Sequence, residues 1–136
     1  MNEEDSQKVM EAAAHLVACF ASHDTDAYFS CFSPSASFVF YTHDKILTSR
    51  DQYLALWQHW EKADGFRVLA CASTPISTVI LGDIGLFMHE VETRASINGL
   101  EHTTHERETI LFQRDKAGHW LAVHEHLSPL GGDDLG

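Results

Sequence analysis

Apolar positions in the first half of the chain recur with helical spacing. Over residues 3–22 they form one stripe, which predicts an amphipathic helix with acidic residues in its first turn. The stripe consists of Val9, Ala13, Leu16, Val17 and Phe20. A short second helix should follow and end at Ser33-Pro34, because the residue before a proline disfavours helical backbone. We expect its apolar side to carry Tyr28, Phe29 and Phe32.

A third helix is indicated between Ser49 and Gly65. Ser49 followed three residues later by Gln52 is the pattern of a capping box, and a glycine such as Gly65 is typical of a helix end. The expected buried face carries Tyr53, Leu56, Trp57 and Trp60. This helix should therefore supply large aromatic side chains to the interior.

Strand-like patterns fill the rest of the chain. Runs of β-branched and aromatic residues at 36–41 and 46–48 predict a hairpin. Pro75 interrupts a later run, which indicates a bulge or an edge position in one long bent strand. Gly82-Asp83 and Asn98-Gly99 are typical two-residue turns. The long strands are predicted at 66–73 with 76–81, 84–95, 100–113 and 119–127. Helices followed by antiparallel strands indicate the α+β class, with a curved sheet closing over the helices as a cone.

Period-two alternation assigns faces to the last two strands. Arg107 and Thr109 share a face of the first of them, and a polar turn at 115–118 leads to the second. Strict alternation would place five residues of the second strand on one face: Trp120, Ala122, His124, His126 and Ser128. Glu125 lies on the opposite face among apolar neighbours, where the proton affinity of a lone carboxylate would be raised.

Length and charge limit the class of protein. The 136 residues suit a single domain over 1–130, and we expect the tail at 131–136 to be disordered. A formal charge of -11 disfavours nucleic acid and anionic lipid as partners. The sequence shows neither a signal-peptide pattern nor an apolar stretch long enough to cross a membrane, so we expect a cytoplasmic protein.

Motifs for cofactor chemistry are missing from the sequence. It has no phosphate loop, dinucleotide fingerprint or nucleophile elbow, and we expect no cofactor. Cys19, Cys31 and Cys71 are odd in number and lie among apolar neighbours, which predicts buried free thiols. His124 and His126, two apart on one strand, would need a third ligand to hold a metal, and we expect no metal site.

The order of elements and a motif near the C-terminus together resemble a known superfamily. The block from Arg107 to Ser128, Arg-x-Thr-x-x-Phe-x-Arg … Gly-x-Trp-x-x-Val-His-x-His-x-Ser, is similar to SnoaL-like members of the nuclear transport factor 2-like superfamily. It also resembles the association domain of calmodulin-dependent kinase. The resemblance covers essentially the whole chain. It implies a conical α+β barrel with a deep apolar pocket, usually in a homodimer packed through the outer face of the sheet.

Pairing across Asn98-Gly99 decides which polar residues meet. A two-residue turn would place residues whose numbers sum to 197 opposite each other, and so Glu90 opposite Arg107. A three-residue turn with a bulge would shift the register by one and place Glu90 opposite Glu106. Both registers are open at this point, and with them the face on which Arg107 and the histidines lie.

Candidate site residues follow from these patterns and from the resemblance. The catalytic candidates are Glu90, Glu125, Arg107 and His124; the ligand-binding candidates are Tyr41, Tyr53, Trp57, Trp60 and His126. Glu90 or Glu125 would act as a base, while Arg107 or a histidine would polarise an oxygen. Ketosteroid isomerases place a carboxylate base on their first strands, whereas residues 35–48 offer only Asp44, in a turn. That chemistry is not expected here in its familiar form.

Two functions compete on this basis. The first is a homodimeric SnoaL-like protein that binds a small, largely apolar molecule and catalyses isomerisation, cyclisation or dehydration by cofactor-independent proton transfer. The second is a non-catalytic dimeric module whose pocket only binds a ligand, or whose sheet mediates assembly. The residue that should separate them is Glu125, since a catalytic base must lie inside the pocket.

Overall fold

The computed structural model describes residues 2–130, which contain three helices and five strands. The helices are α1 (Asn2–Ala21), α2 (Thr25–Phe29) and α3 (Arg50–Asp64). The strands are β1 (Phe32–Phe40), β2 (Arg67–Leu81), β3 (Ile84–Ile97), β4 (Leu100–Arg114) and β5 (Trp120–Pro129). The expected α+β class is confirmed, and the predicted disordered tail at 131–136 lies outside the described residues. Within residues 2–130, no helix combines the length and the apolar character needed to cross a bilayer.

The ends of α3 match the sequence signals. Ser49 caps the helix by accepting a hydrogen bond from the backbone N–H of Gln52 at 3.1 Å. The side chain of Gln52 reaches back one residue further than a capping box requires and accepts from the N–H of Thr48 at 2.8 Å. Gly65 ends the helix in the left-handed conformation with φ 57°, which glycine adopts without strain.

Helix α2 is shorter than predicted, and Phe32 belongs to β1. The helix ends at Phe29, and the carbonyl of Cys31 accepts a bond from the N–H of Ala122 at 2.9 Å, which draws the chain into the sheet. Pro34, expected to end the helix, instead falls in the irregular stretch of β1 between Phe32 and Ser37. A proline is tolerated there because a bulge needs no ladder hydrogen bond from it.

The predicted hairpin at 36–41 and 46–48 is reduced to one bridge. Phe38 and Leu47 exchange two backbone hydrogen bonds of 2.8 and 3.0 Å, and the described chain shows no second strand there. β1 pairs instead with β5, in parallel, so that Phe38 lies opposite Glu125 and Phe40 opposite Leu127.

The five strands form one mixed sheet in the order β1-β5-β4-β3-β2. The turn at Asn98-Gly99 has two residues with positive φ, 54° and 81°, as a type I′ turn requires. Ile97 pairs with Leu100, and Glu90 therefore lies opposite Arg107, which settles the register in favour of the two-residue turn. β2 is an edge strand whose register shifts between Pro75 and Ser77, as predicted.

A register shift in β5 overturns the strict alternation expected there. Leu111 pairs with His124 but Phe112 pairs with Ala122, so Val123 is the extra residue of a bulge. The buried residues Trp120 and Ala122 consequently share a face with Glu125 rather than with His124, His126 and Ser128. The prediction that all five even-numbered residues share one face was wrong, because a bulge exchanges the two faces of a strand.

Aromatic side chains make most of the core between the helices and the sheet. α1 packs on β2, β3 and β5, while α3 packs on β1. The largest buried rings belong to Phe32, Phe38, Trp57, Phe87 and Phe112. Tyr53 and Trp57 of α3 are buried as predicted, whereas Trp60 is only partly buried and leaves space beside it.

Candidate functional site

A cavity of about 130 Å³, partly open to solvent, lies between the helices and the inner face of the sheet. Its wall is mainly aromatic and aliphatic, and it is about the size of a cavity that holds a single benzene ring. The aromatic part of the wall is formed by Phe20, Tyr28, Phe40, Tyr53, Trp57, Trp60 and Phe66. Such a wall favours a small, flat and largely apolar molecule.

Three glutamates interrupt this apolar wall. Glu106 and Glu108 point inward because they alternate with the outward-facing Arg107 along β4. Glu125 joins them because the bulge at Val123 turns it to the inner face of β5. In the described part of the chain, no lysine or arginine lines the cavity. An anionic ligand would therefore meet uncompensated negative charge, and a neutral ligand is favoured.

Glu125 is the most deeply buried of the three carboxyl groups. It is 2% exposed, lies opposite Phe38 and Ile110 in the two neighbouring strands, and lines the cavity. Burial raises the pKa of Glu125 well above its usual value, and the neighbouring Glu108 raises this pKa further through its charge and by hydrogen bonding. Its Oε2 atom is buried and has no hydrogen-bond partner among the described residues. Burial therefore favours the protonated form of this carboxyl, and its Oε2 is an unpartnered polar atom in the cavity wall.

A buried histidine, His89, is hydrogen-bonded to the carboxylate of Glu108. The Nε2 atom of His89 lies 2.8 Å from Oε1 of Glu108, and Nδ1 of the same ring lies 2.6 Å from Oγ of Ser73. Both neighbours can be satisfied by one neutral tautomer, in which Nε2 donates to the carboxylate and the serine hydroxyl donates to Nδ1. The side chain of His89 is 0% exposed, so this chain of contacts is shielded from solvent. The contacts from Ser73 through His89 to Glu108 connect β2, β3 and β4 and end at the carboxyl of Glu125.

Glu106 has different partners. Its Oε2 accepts a hydrogen bond from the hydroxyl of Tyr41 at 2.7 Å, and its Oε1 accepts one from Thr104 at 3.3 Å. Burial raises the pKa of Glu106 and outweighs the lowering effect of the Tyr41 hydrogen bond. Burial and the same hydrogen bond raise the pKa of Tyr41 to about 12. Tyr41 is half exposed, so this pair lies near the surface.

Tyr28 and Tyr53 form a second polar contact inside the cavity. Their hydroxyl oxygens are 2.9 Å apart, and both side chains are buried. Burial, and next the charge of Glu125, raise the pKa of each phenol well above its usual value. Both hydroxyls are thus neutral donors or acceptors and not bases.

The structure divides the candidate residues predicted from the sequence into two groups. Glu125, Tyr53, Trp57 and Trp60 line the cavity, and Tyr41 contacts it through Glu106. The second group lies on the outer face of the sheet and does not line the cavity: Glu90, Arg107, His124 and His126.

On the outer face, Glu92 lies 3.3 Å from His105, and Arg94 lies 3.6 Å from Glu101. Glu90 and Arg107 are opposite each other, but their side chains form no salt bridge within the described chain. His124 contacts the hydroxyl of Ser37 at 2.8 Å, and burial and then the charge of His126 lower the pKa of His124. This face offers histidines and an arginine to solvent or to another protein.

Sequence reasoning missed three residues of the site: Glu106, Glu108 and His89. The register with Glu90 opposite Arg107 already implied that the neighbours of each residue face the other way. Once Arg107 is assigned to the outer face, Glu106 and Glu108 must point inward. By the same rule His89 must point inward, because it is next to the outward-facing Glu90. The missing information was which face of the sheet the helices cover.

Comparisons with known proteins agree on the fold. Residues 9–131 match the profile of a family described as the SnoaL-like domain. A ketosteroid isomerase-like protein from Erwinia carotovora atroseptica is 13% identical with a TM-score of 0.82, and the match covers 93% of this chain and 97% of that one. The CaMKII hub of S. rosetta is 20% identical with a TM-score of 0.71, over 90% and 95% of the two chains. A provisionally assigned dehydratase of the NTF2-like family from Streptomyces avermitilis is 15% identical with a TM-score of 0.76, over 96% and 99%. Among curated protein sequences, none matches the chain.

Proposed function

The chain belongs to the SnoaL-like domain family, and from that premise we propose that it is an enzyme that transfers protons to and from a small, uncharged, largely apolar molecule. The observation that carries the proposal is the buried carboxyl of Glu125 beside Glu108, in the wall of an aromatic cavity and with an Oε2 that has no partner among the described residues. Two neighbouring carboxyl groups, in one of which burial favours the protonated form, provide an acid and a base at the same place.

In the proposed reaction, Glu125 is the acid rather than the base considered from the sequence. When the substrate binds, the proton that Glu125 shares with Glu108 is donated instead to a carbonyl or hydroxyl oxygen of the substrate. Glu108 removes a proton from the adjacent carbon, and its hydrogen bond from His89 keeps the carboxylate oriented. Return of the proton to another carbon completes an isomerisation, whereas proton transfer from Glu125 to a leaving hydroxyl completes a dehydration. Neither reaction requires a cofactor.

The wall of the cavity supports this substrate class. Tyr53, Trp57 and Trp60 provide flat apolar surface, and the lack of a basic side chain in the described lining disfavours an anionic substrate. The descriptions of two similar structures, a ketosteroid isomerase-like protein and a provisionally assigned dehydratase, name reactions of this type for those proteins. Their sequence identity to this chain is too low to transfer a substrate, and the proposal rests on the carboxyl pair.

A test of the proposal needs no knowledge of the natural substrate. Cyclohexanone is a neutral ring of suitable size, and exchange of its α-protons for deuterium in D2O can be followed by NMR. We expect the protein to accelerate this exchange and Glu125→Gln to lower the acceleration by about 10²–10⁴-fold, the usual contribution of a general acid or base. Glu101→Gln is the matched control, since Glu101 is an exposed glutamate on β4. Exchange unaffected by Glu125→Gln, or an inactive wild type, would contradict the proposal.

Self-association as a non-catalytic module is the second candidate function. Its support is the outer face of the sheet, where Glu90, Arg107, His124 and His126 lie outside the cavity, together with the similarity to the CaMKII hub. The proposed assembly is a homodimer through this face. Light scattering coupled to size exclusion would give twice the mass of the chain, and Arg107→Glu should return the protein to a monomer, because it places like charges opposite each other at Glu90. A monomeric wild type would remove this candidate.

A further inference from the structure

A cluster of three possible metal ligands lies apart from the glutamates of the cavity. His15 and Cys19 are one helical turn apart on α1, and Cys31 follows α2. The ligand atoms of the three side chains all lie within 4.8 Å of one another. No disulfide joins the two cysteines, whose sulfur atoms face each other as free thiols.

We propose that His15, Cys19 and Cys31 form a Zn²⁺ site. The Sγ atom of Cys19 lies 3.6 Å from Nε2 of His15. Zinc bonds of about 2.3 Å to sulfur and about 2.0–2.1 Å to nitrogen, at a tetrahedral angle, would place these two atoms roughly 3.5 Å apart. The spacing of this pair is therefore already that of two zinc ligands, and the Sγ atom of Cys31 lies within 4.8 Å of both.

Charge balance favours a divalent thiophilic ion such as Zn²⁺ over Cu⁺. Two thiolates and one neutral imidazole compensate the two positive charges of Zn²⁺, which gives a neutral complex. Cys19 is 8% exposed, and a net charge beside it would be costly to bury. Cu⁺ with the same ligands would carry a net negative charge, and Ca²⁺ or Mg²⁺ would require oxygen ligands.

A second cavity of about 150 Å³ adjoins the cluster and provides room for a fourth ligand. It is lined by His15, Cys31 and Trp120, among others. Trp120 is 8% exposed, and its indole Nε1 is a buried donor with no partner among the described residues. A water or an anion on zinc would be an acceptor in this cavity, and three protein ligands with one exchangeable position is the arrangement of a zinc site with an open coordination position.

Access to the cluster is consistent with metal exchange. His15 is exposed, so a metal ion can enter from the solvent side of α1 without unfolding of the core. The thiol of Cys31 donates a hydrogen bond to the carbonyl of Ala27 at 3.4 Å, a weak contact that a metal bond would replace. The site is separate from the three glutamates, and the inference does not depend on the proposed acid–base activity.

The test uses untagged, reduced and chelator-treated protein with Zn²⁺ and Co²⁺ as probes. Competition with a chromogenic chelator should give one Zn²⁺ per chain. Bound Co²⁺ should show thiolate-to-metal charge-transfer absorption and the intense visible bands of tetrahedral cobalt. Cys31→Ser should weaken Zn²⁺ binding by at least about 100-fold, since loss of an outer-shell partner alone costs 10–100-fold. His15→Ala, at an exposed position that the core does not need, should weaken binding at least about tenfold.

Matched controls make the result decisive. Cys71→Ser removes the third cysteine and His59→Ala removes an exposed histidine of α3, and both should bind Zn²⁺ like the wild type. The inference is overturned if Cys31→Ser and His15→Ala bind like these controls, or if Co²⁺ gives the weak bands of an octahedral oxygen site. It is also overturned if mass spectrometry of protein purified without reductant shows a Cys19–Cys31 disulfide and the reduced protein still binds no metal.

Discussion

His89 and Glu108 lie directly opposite each other on β3 and β4, with Nε2 and Oε1 2.8 Å apart on the inner face of the sheet. The contact orients the carboxylate that faces Glu125, and the imidazole is itself held by Ser73. Because the imidazole of His89 is buried and hydrogen-bonded at both ring nitrogens, it can stay in place when the charge of the neighbouring carboxylate changes.

Removal of the His89 side chain should therefore act through Glu108. His89→Leu leaves the carboxylate buried without its donor and should lower the free energy of unfolding by about 1–3 kcal/mol. His89→Gln retains an N–H donor and should recover part of this loss. Denaturant unfolding gives the two free energies, and deuterium exchange of cyclohexanone gives the activity. Equal stability of both variants would show that the hydrogen bond to Glu108 contributes nothing.

The raised pKa of Glu125 predicts a specific dependence of stability on pH. A carboxyl whose pKa is higher in the folded than in the unfolded chain binds more protons when folded, so stability falls as the pH rises from the usual value of 4.5 through the folded pKa. The side chain at this position is neutral at every pH in Glu125→Gln, so the variant does not lose stability in this way as the pH rises. The variant should thus gain stability over the wild type as the pH rises above 4.5.

The measurement for this prediction is the difference in unfolding free energy between Glu125→Gln and the wild type as a function of pH. The difference should grow in favour of the variant with rising pH, and Glu101→Gln should show no such trend because Glu101 is exposed. Each kcal/mol should raise the Tm by roughly 3–5 °C for a domain of this size. A constant difference would mean that Glu125 ionises in the folded protein as it does in the unfolded chain.

The fold could be predicted because its signals are local. Ser49 and Gly65 mark the ends of α3 through their own backbone geometry, and Asn98-Gly99 fixes a hairpin because both residues adopt positive φ. The pairing of Glu90 with Arg107 follows from that turn. Each of these inferences requires only neighbouring residues.

The site could be predicted only in part because it depends on nonlocal choices. The bulge at Val123 has no sequence marker such as glycine or proline, yet it decides that Glu125 faces the cavity and that His124 does not. Phe32 lies in a strand because β5 offers a parallel partner, which the helical pattern around it does not reveal. The spacing of His15 and Cys19 was visible in the sequence, but Cys31 joins them only through the packing of α2 on α1.

The three tyrosines of the chain should resist ionisation together. Burial raises the pKa of Tyr28 and Tyr53 well above the usual value and that of Tyr41 to about 12. An alkaline titration followed by phenolate absorbance should therefore show almost no signal near the ordinary value of 10.0 while the protein remains folded. Unfolding in denaturant should restore an ordinary titration of all three. Tyr41→Phe should leave the folded protein with no ionisation before alkaline unfolding, and a tyrosine that titrates normally in the folded state would contradict the burial of these hydroxyls.

Helix α1 packs tightly against the sheet at Gly85, and this predicts coupling between Gly85 and Val9. A Cβ atom added at Gly85 would lie 2.6 Å from Cγ2 and 3.2 Å from Cγ1 of Val9, a side chain that is 0% exposed. Gly85→Ala should therefore destabilise the protein by about 1–3 kcal/mol through overpacking. Val9→Ala alone should also destabilise it, because it leaves a cavity. Together the two changes should cost less than the sum of their separate effects by about 0.5–3 kcal/mol, since the shortened side chain makes room for the new methyl group.

Val68→Ala is the control partner: Val68 is also buried but pairs with Ala95 at the far end of β3, and its effect should add to that of Gly85→Ala. Additive free energies for Gly85 and Val9 would mean that α1 moves away from the sheet to accommodate the methyl group.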